Sequence, residues 1–463
     1  MDEENNILKI RNDSIIKLSK QDDNYTIVDG KVPSWLNATQ HPTVLGISEL
    51  RTGIEPWLTS LFQSEHLSVL IGSGLSTAVQ FLATGTVNTV MSGQDINSAF
   101  KDKIIEAAQK SSLVCGRGEK NIEDEIRVTN ELIRGLEILG YDTDDAKKAD
   151  YEKLCQGLEL LIKDFTEGIA KIEASVATAA SVERGRSFGY LVDFLMSFAS
   201  RTGTRERLNI FTTNYDRLIE AGAELAGLHL LDRFVGTLAP IFRSSRLDID
   251  MHYNPPGIRG EPRYLEGVTR FTKLHGSIDW VDVGTEIRRI GLPLGSTDIK
   301  SFLNAPGLVD IDSKKVMIYP NSSKDRETSE YPYVELFRDF AAALCRPNST
   351  LVTYGYGFGD DHINRIIRDM LTIPSTHLVV ISYDDDSGRI KKKYEEFGRS
   401  SQISLIIGKD LAELPTLVDY FMPKPSIDKA SIRMDELLKQ RYTEAKIESV
   451  QINSLDLNGG DDL

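Results

Sequence analysis

The sequence predicts an α/β protein built on a doubly wound, mostly parallel sheet that a helical insertion interrupts. Three observations carry that expectation. Short apolar runs recur along the chain, among them Leu67-Ser68-Val69-Leu70-Ile71, Leu208–Thr213, Phe271–His275, Thr350–Tyr354 and Leu378–Tyr383. Runs of this length and composition suit strands buried on both faces, as parallel strands are. Amphipathic stretches of helical spacing separate them, around Asp216–Ala226, Pro332–Leu344 and Lys391–Phe397. Strand and helix in alternation give a Rossmann-like sheet with helices on both faces. Between Gln94 and Arg201 the texture changes: Leu154, Leu158, Leu161, Phe165 and Ile169 recur at intervals of three and four. That spacing makes one apolar helical stripe, read as core and not as a cofactor box.

Taken in order, Ile7 to Val32 alternates loosely and suggests one or two edge strands or a surface arm. A helix is expected to begin at Gly53-Ile54-Glu55-Pro56, with Pro56 in its first turn. The strand Leu67–Ile71 then runs straight into Gly72-Ser73-Gly74 and a helix. Val235–Val268, with its prolines, is expected to be a long loop, and Lys315–Tyr319 a further strand. The domain reading is therefore an arm over 1–54, an α/β domain over 55–423 interrupted by 94–201, and a tail over 424–463, partly disordered.

Charge and cysteine content narrow the function classes. With 54 basic and 69 acidic residues among 463, the net charge is −15. That works against a general binder of the nucleic-acid backbone, which needs a dense basic surface. Cys115, Cys155 and Cys345 lie far apart, so neither a thiolate zinc site nor a disulfide framework is legible. The acidic, polar start does not resemble a secretory leader, and no apolar run could span a bilayer. A cytoplasmic protein without membrane or direct nucleic-acid contact is expected.

Polar groups gather where strands end. Gly72, Ser73, Gly74 and Ser76 form a glycine turn between strand and helix. Such a turn lets backbone approach a pyrophosphate, whose charge meets free N–H groups and the helix dipole. It lacks the third glycine of the dinucleotide fingerprint, Thr77 standing there instead, and the lysine of a P-loop. Thr213-Asn214-Tyr215-Asp216 ends a second strand, where helix capping is the competing role for Asn214 and Asp216. His275, followed by Gly276, ends a third. Gly355-Tyr356-Gly357-Phe358-Gly359 follows a fourth. Ligands in open α/β sheets bind beyond the carboxyl ends of the strands, so these groups are expected to converge. Asp360-Asp361-His362 and Asp384-Asp385-Asp386 could be imagined as metal ligands for a nuclease; they are read as helix-start caps and as a polar loop.

In this order, the Gly72–Ser76 turn, Thr213–Asp216 and Leu274-His275-Gly276 resemble the sirtuin (silent information regulator) family. The segment Thr353–Asp361 looks like a later strand-turn of the sirtuin-like branch found in bacterial anti-phage systems. The resemblance covers roughly Glu55 to Met422. It implies that Gly72, Ser73, Gly74, Ser76 and Thr213 cradle NAD, with Gly355 and Gly357 closing over its adenosine half. It further implies that Asn214 and Asp216 flank the nicotinamide ribose and that His275 is the general base. The four zinc cysteines of the family's deacetylases are absent between Gly276 and Val316, as is the usual cofactor loop after Ser76. No zinc is therefore expected. NAD becomes the substrate of a hydrolase yielding nicotinamide and ADP-ribose. The branch implies an abortive-infection effector gated by homo-oligomerisation or by a HerA-type ATPase partner. A protein deacylase or ADP-ribosyltransferase, and a catalytically silent NAD- or ADP-ribose-binding regulatory subunit, are the alternatives.

Overall fold

The structure, a computed structural model, describes residues 6–36, 43–88, 96, 98–114, 118–201, 205–248, 251–253, 263–304, 307–308 and 331–424. The expected strand Lys315–Tyr319 and all of the tail beyond 424 lie outside these residues. The strands of the main sheet are β1 (Asn6–Lys9), β2 (Ile16–Gln21), β3 (Asn24–Ile27), β4 (Val44–Gly46), β5 (His66–Ile71), β6 (Asn209–Thr212), β7 (His229–Leu231), β12 (Val268–Lys273), β15 (Ser349–Tyr354), β16 (His377–Ser382) and β17 (Ile403–Ile407). They pair in the order β4-β3-β2-β1-β17-β16-β15-β5-β6-β12-β7. From β17 to β7 every pairing is parallel. The result is the doubly wound, Rossmann-like α/β fold that the strand–helix alternation predicts.

Alternation along each buried strand feeds two cores. In β16, Val379 and Ile381 pack with α1 (Ile47–Phe62), α2 (Ser73–Thr84), α6 (Ser181–Ala199) and α7 (Leu218–Leu225). Leu378 and Val380 face the opposite layer, α8 (Tyr333–Leu344), α9 (Asp361–Met370) and α10 (Arg389–Phe397). Period-two geometry sends successive side chains to opposite faces, so a strand covered on both sides must be apolar throughout. The parallel part of the sheet begins at β5 and works through β6 towards one edge. It then returns to β15 on the other side of β5 and builds outward through β16 and β17. The order reverses between β5 and β15, which opens a crevice beyond their carboxyl ends.

Several elements depart from the sequence reading. The first strands take the edge-strand alternative and not the arm. β1 pairs antiparallel with β17, and β2 to β4 extend the same sheet. The first helix begins at Ile47, because the Gly46 N–H donates to Glu49 Oε2 at 2.6 Å; Pro56 sits in its interior. Within 94–201, α3 (Lys101–Val114), α4 (Ile122–Ile138) and the long α5 (Lys148–Ala177) build a separate core containing Leu154, Leu158, Leu161 and Phe165. Helix α6 belongs instead to the sheet. Its Phe198 stacks on Phe62 at 4.6 Å and its Phe194 lies 4.9 Å from Tyr354. The proline-rich stretch contributes β8 (Phe234–Val235) and β9 (Ile241–Phe242) to a small antiparallel sheet with β13 (Trp280–Asp282) and β14 (Ile287–Arg289), and pairs β10 (His252–Tyr253) antiparallel with β11 (Arg263–Tyr264). No helix among the described residues is long and apolar enough to cross a membrane.

The amino end of β16 holds a buried histidine with a testable consequence. The Trp57 indole N–H donates to Ser404 Oγ at 2.9 Å, and His377 Nε2 lies 2.9 Å from the same oxygen. Burial, helped by nearby Lys9, depresses the His377 pKa to about 4. The folded state therefore favours neutral imidazole. The stability this confers is complete above the unfolded value near ~6.5 and is lost as pH falls towards 4. Over that window the loss amounts to about 3 kcal/mol. Urea titrations at pH 7, 5.5 and 4.5 should show a steeper fall for the wild type than for His377→Gln; parallel curves would refute it.

Candidate active-site cleft

A cleft of about 380 Å³ lies beyond the strand ends at the switch point. Its floor is set by two glycine turns pressed together. The Gly72 N–H donates to Tyr354 O at 3.0 Å and the Gly74 N–H to Gly355 O at 3.1 Å. A Cβ on Gly72 would stand 2.3 Å from Gly355 O, and one on Gly74 2.6 Å from Gly355 Cα. Gly355 itself has φ +59, open to glycine at no steric cost. Glycine at Gly74 thus serves the approach of β5 to β15, not an approach to ligand. Gly74 lies behind the cleft wall, whereas Gly72, Ser73 and Gly355 line it.

Ser76, from the first turn of α2, joins two of the expected catalytic groups. Its hydroxyl donates to Asp216 Oδ2 at 2.7 Å and accepts from Asn214 Nδ2 at 2.9 Å. Its only hydrogen is thereby committed, so Ser76 organises the site and is not a phosphate donor as the sequence suggested. Asn214 Nδ2 also donates to Gly72 O at 3.0 Å. Both amide hydrogens are used inside the protein, and the side-chain oxygen is what Asn214 offers a ligand. The capping role weighed for these residues applies to Asp216 alone, whose Oδ1 accepts from the Leu218 N–H at 3.2 Å. The loop is pinned from below. Thr212 Oγ1 donates to Ile71 O at 2.9 Å and receives the Asn214 N–H at 3.0 Å. The Lys273 ammonium, buried under the sheet end, donates to Asp216 O at 2.5 Å and to Glu220 Oε1 at 2.9 Å.

His275 stands just past β12, its ring centroid 6.3 Å from that of Tyr215. Its Nε2 lies 2.8 Å from Oδ2 of Asp360. Asp360 caps α9 as the sequence suggests, Oδ1 accepting from the His362 and Ile363 N–H groups at 3.0 and 3.4 Å. Its second oxygen faces the histidine while the first serves the cap. Further along the wall, Arg389 Nη1 donates to Gly357 O at 3.0 Å and Asp386 Oδ2 at 2.6 Å. Burial raises the Asp386 pKa against the opposing pull of Arg389.

The insertion closes the remaining side. Phe165 and Ile169, at one end of its core stripe, line the cleft with Glu123 and Arg127 from the first turns of α4. The Tyr215 hydroxyl donates to Glu123 Oε1 at 3.0 Å, and Phe165 meets the Tyr215 ring edge-on at 5.5 Å. Beneath them, Arg217 binds Glu173 of α5 through its backbone N–H at 2.7 Å and its guanidinium at 2.6 Å. The uncapped α2 N-terminus at Gly72–Ser73 is where an anionic group fits, since Asn121 and Asp360 cap the other two helices. Glu123, Asp124, Asp216, Asp360 and Asp386 line the cleft beside Arg127 and Arg389. The apolar wall suits a flat ring.

The structure therefore brings Asn214, Asp216, His275, Gly72, Ser73, Ser76, Thr213, Gly355 and Gly357 to one cleft. Sequence reasoning missed Asp360 as the partner of His275, the Asp386–Arg389 pair, and the wall from α4 and α5. An aspartate directly after a glycine-rich strand end was the available signal for the first. Among the described residues no cluster of three His, Cys, Asp or Glu side chains could hold a metal ion.

A parallel sheet with polar loops around a switch-point cleft defines the class of α/β proteins that bind ligands at their strand ends. Residues 208–406 match the family model described as SIR2-like domain, which supports the sirtuin-like family for that part of the chain. The matched span holds Asn214, Asp216, His275 and Asp360; the Gly72–Ser76 turn precedes it. No curated protein matches the chain. Among solved structures, the crystal structure of cytosolic 5'-nucleotidase IIIB bound to cytidine is 11% identical, over 81% of this chain and 88% of that one. Its TM-score with this chain is 0.22.

Proposed function

We propose that the chain hydrolyses NAD at the nicotinamide–ribose bond, giving nicotinamide and ADP-ribose. The observation that carries this reading is the meeting of Asn214, Asp216 and His275 around one cleft, in a chain whose residues 208–406 match a SIR2-like domain. The residues present fit the substrate. The α2 N-terminus at Gly72–Ser73 offers N–H groups and a positive dipole end to the diphosphate. Phe165 and Ile169 give an apolar surface for a ring, and the Asn214 oxygen accepts from a ribose hydroxyl or from water.

In the reaction the C1′–N bond breaks with its electron pair leaving on nicotinamide, which departs neutral. A C1′–O bond forms to water, and the water gives up one proton. Asp216, buried and held by Ser76 and the Leu218 N–H, supplies fixed negative charge near the oxocarbenium-like carbon. Asn214 places the nucleophile, and His275 takes the proton.

In the same reading the chain is a cytoplasmic anti-phage effector, held silent until self-association or a HerA-type ATPase partner releases it. Support for gating comes from the insertion, whose α4 and α5 reach the motif loop through Glu123 and Glu173. The deciding experiment incubates the purified chain, alone and with a partner ATPase, with NAD and resolves the products by chromatography. Equal release of nicotinamide and ADP-ribose is expected. NAD bound but intact establishes the silent binding subunit instead, and turnover only with an acyl-peptide establishes the deacylase.

A further inference from the structure

We propose that Asp360 is the positioning residue of His275, placing the proton of the neutral ring on Nε2 and making Nδ1 the basic atom. The catalytic consequence rests on the NAD-hydrolase reading; the proton assignment does not.

Three features of the site carry it. The contact is short and sheltered: Nε2 and Oδ2 are 2.8 Å apart, with the two side chains 17% and 16% exposed. The carboxylate is aimed from behind. One oxygen is held by two N–H groups at the start of α9, so the other cannot swing away from the ring without losing the cap. The loop bearing it is itself locked. Tyr356 Oη donates to Asp360 O at 3.3 Å, and Asn364 Nδ2 donates to Phe358 O at 2.9 Å. Asp360 follows β15 and His275 follows β12, with β5 and β6 between them in the sheet. The pair thus reaches across the whole crevice and joins loops from its two sides.

An ionised carboxylate only accepts hydrogen bonds, so the Nε2 it faces carries hydrogen. The neutral ring then keeps its lone pair on Nδ1, since the partner of one nitrogen determines the state of the other. In the proposed hydrolysis an O–H bond of water breaks, an N–H bond forms at Nδ1, and Asp360 stays ionised beside the imidazolium. The logic is that of the aspartate in a serine-protease triad, which orients its histidine without taking the proton.

Asp360→Asn separates this role from capping. The amide oxygen still accepts from the α9 N–H groups, but the amide nitrogen turned to the ring donates, which moves the ring proton to Nδ1. NAD turnover is expected to fall by about 10²–10⁴-fold with KM little changed. A merely structural aspartate would not move the tautomer, so the primary readout is ¹⁵N NMR of the full chain labelled at histidine. His275→Asn assigns the signal, and spectra are taken where the ring is neutral. The expected result is hydrogen on Nε2 in the wild type and on Nδ1 in D360N. Hydrogen on Nδ1 in the wild type, or D360N turnover equal to wild type, overturns the proposal; if D360N does not fold, the wild-type spectrum alone decides. An Nε2–H tautomer in a chain that leaves NAD intact keeps the positioning role and rejects only the hydrolase reading.

Discussion

His275→Ala should lower NAD hydrolysis by about 10²–10⁴-fold while leaving the chain folded, the range that removal of a general base produces. The ring is 2.8 Å from Asp360 and its side chain is 17% exposed, so melting curves separate lost packing from lost chemistry. Asn214→Ala should lose about 10²–10³-fold for a different reason, the absence of a preorganised polar group at the reacting carbon. Its amide also ties Gly72 O to Ser76 Oγ, so this variant should weaken NAD binding as well. Single-turnover nicotinamide release, with melting curves for both variants, checks the pair. Turnover unchanged in both rejects the assignment of the site.

Glu173→Ala is expected to be the most damaging change for stability. Glu173 is fully buried, and both its carboxylate oxygens serve Arg217. Arg217 also donates to the carbonyl oxygens of Leu292 and Pro293, so its side chain stays in place when the carboxylate is gone. A buried charge stripped of its partner costs about 3–5 kcal/mol. The damage should also reach the site, because the Arg217 N–H that Glu173 holds directly follows Asp216. Urea unfolding of E173A should show a lowered midpoint at unchanged slope, with a raised KM for NAD in the folded protein. A midpoint within experimental scatter of wild type would show that the pair does not anchor the loop.

The sheet was legible because strands buried on both faces must be apolar throughout, and Leu67–Ile71 and Leu378–Tyr383 announce themselves. Strand order was not, since nothing local in Asn6–Lys9 says that it pairs with β17. Helix α6 was hidden inside the insertion for a related reason: an apolar stripe shows that a face is buried, not against which core. For the site, Asn214 and His275 could be read because they stand at strand ends in a known order. The Asp360–His275 contact could not, since it joins residues far apart in sequence whose nearness depends on the sheet order. The Gly74 turn shows the opposite failure. A motif that would suit a phosphate is also what two crossing backbones need, and only the position of Gly355 tells them apart.

The switch point has a consequence for how the protein comes into being. A ribosome delivers Gly72, Asn214 and His275 first and Asp360 only after β15 has emerged to lie beside β5. Until then the histidine lacks its carboxylate, and the crevice has only one bank. Chains still being made therefore lack the Asp360–His275 contact, and the cleft is complete only late in synthesis.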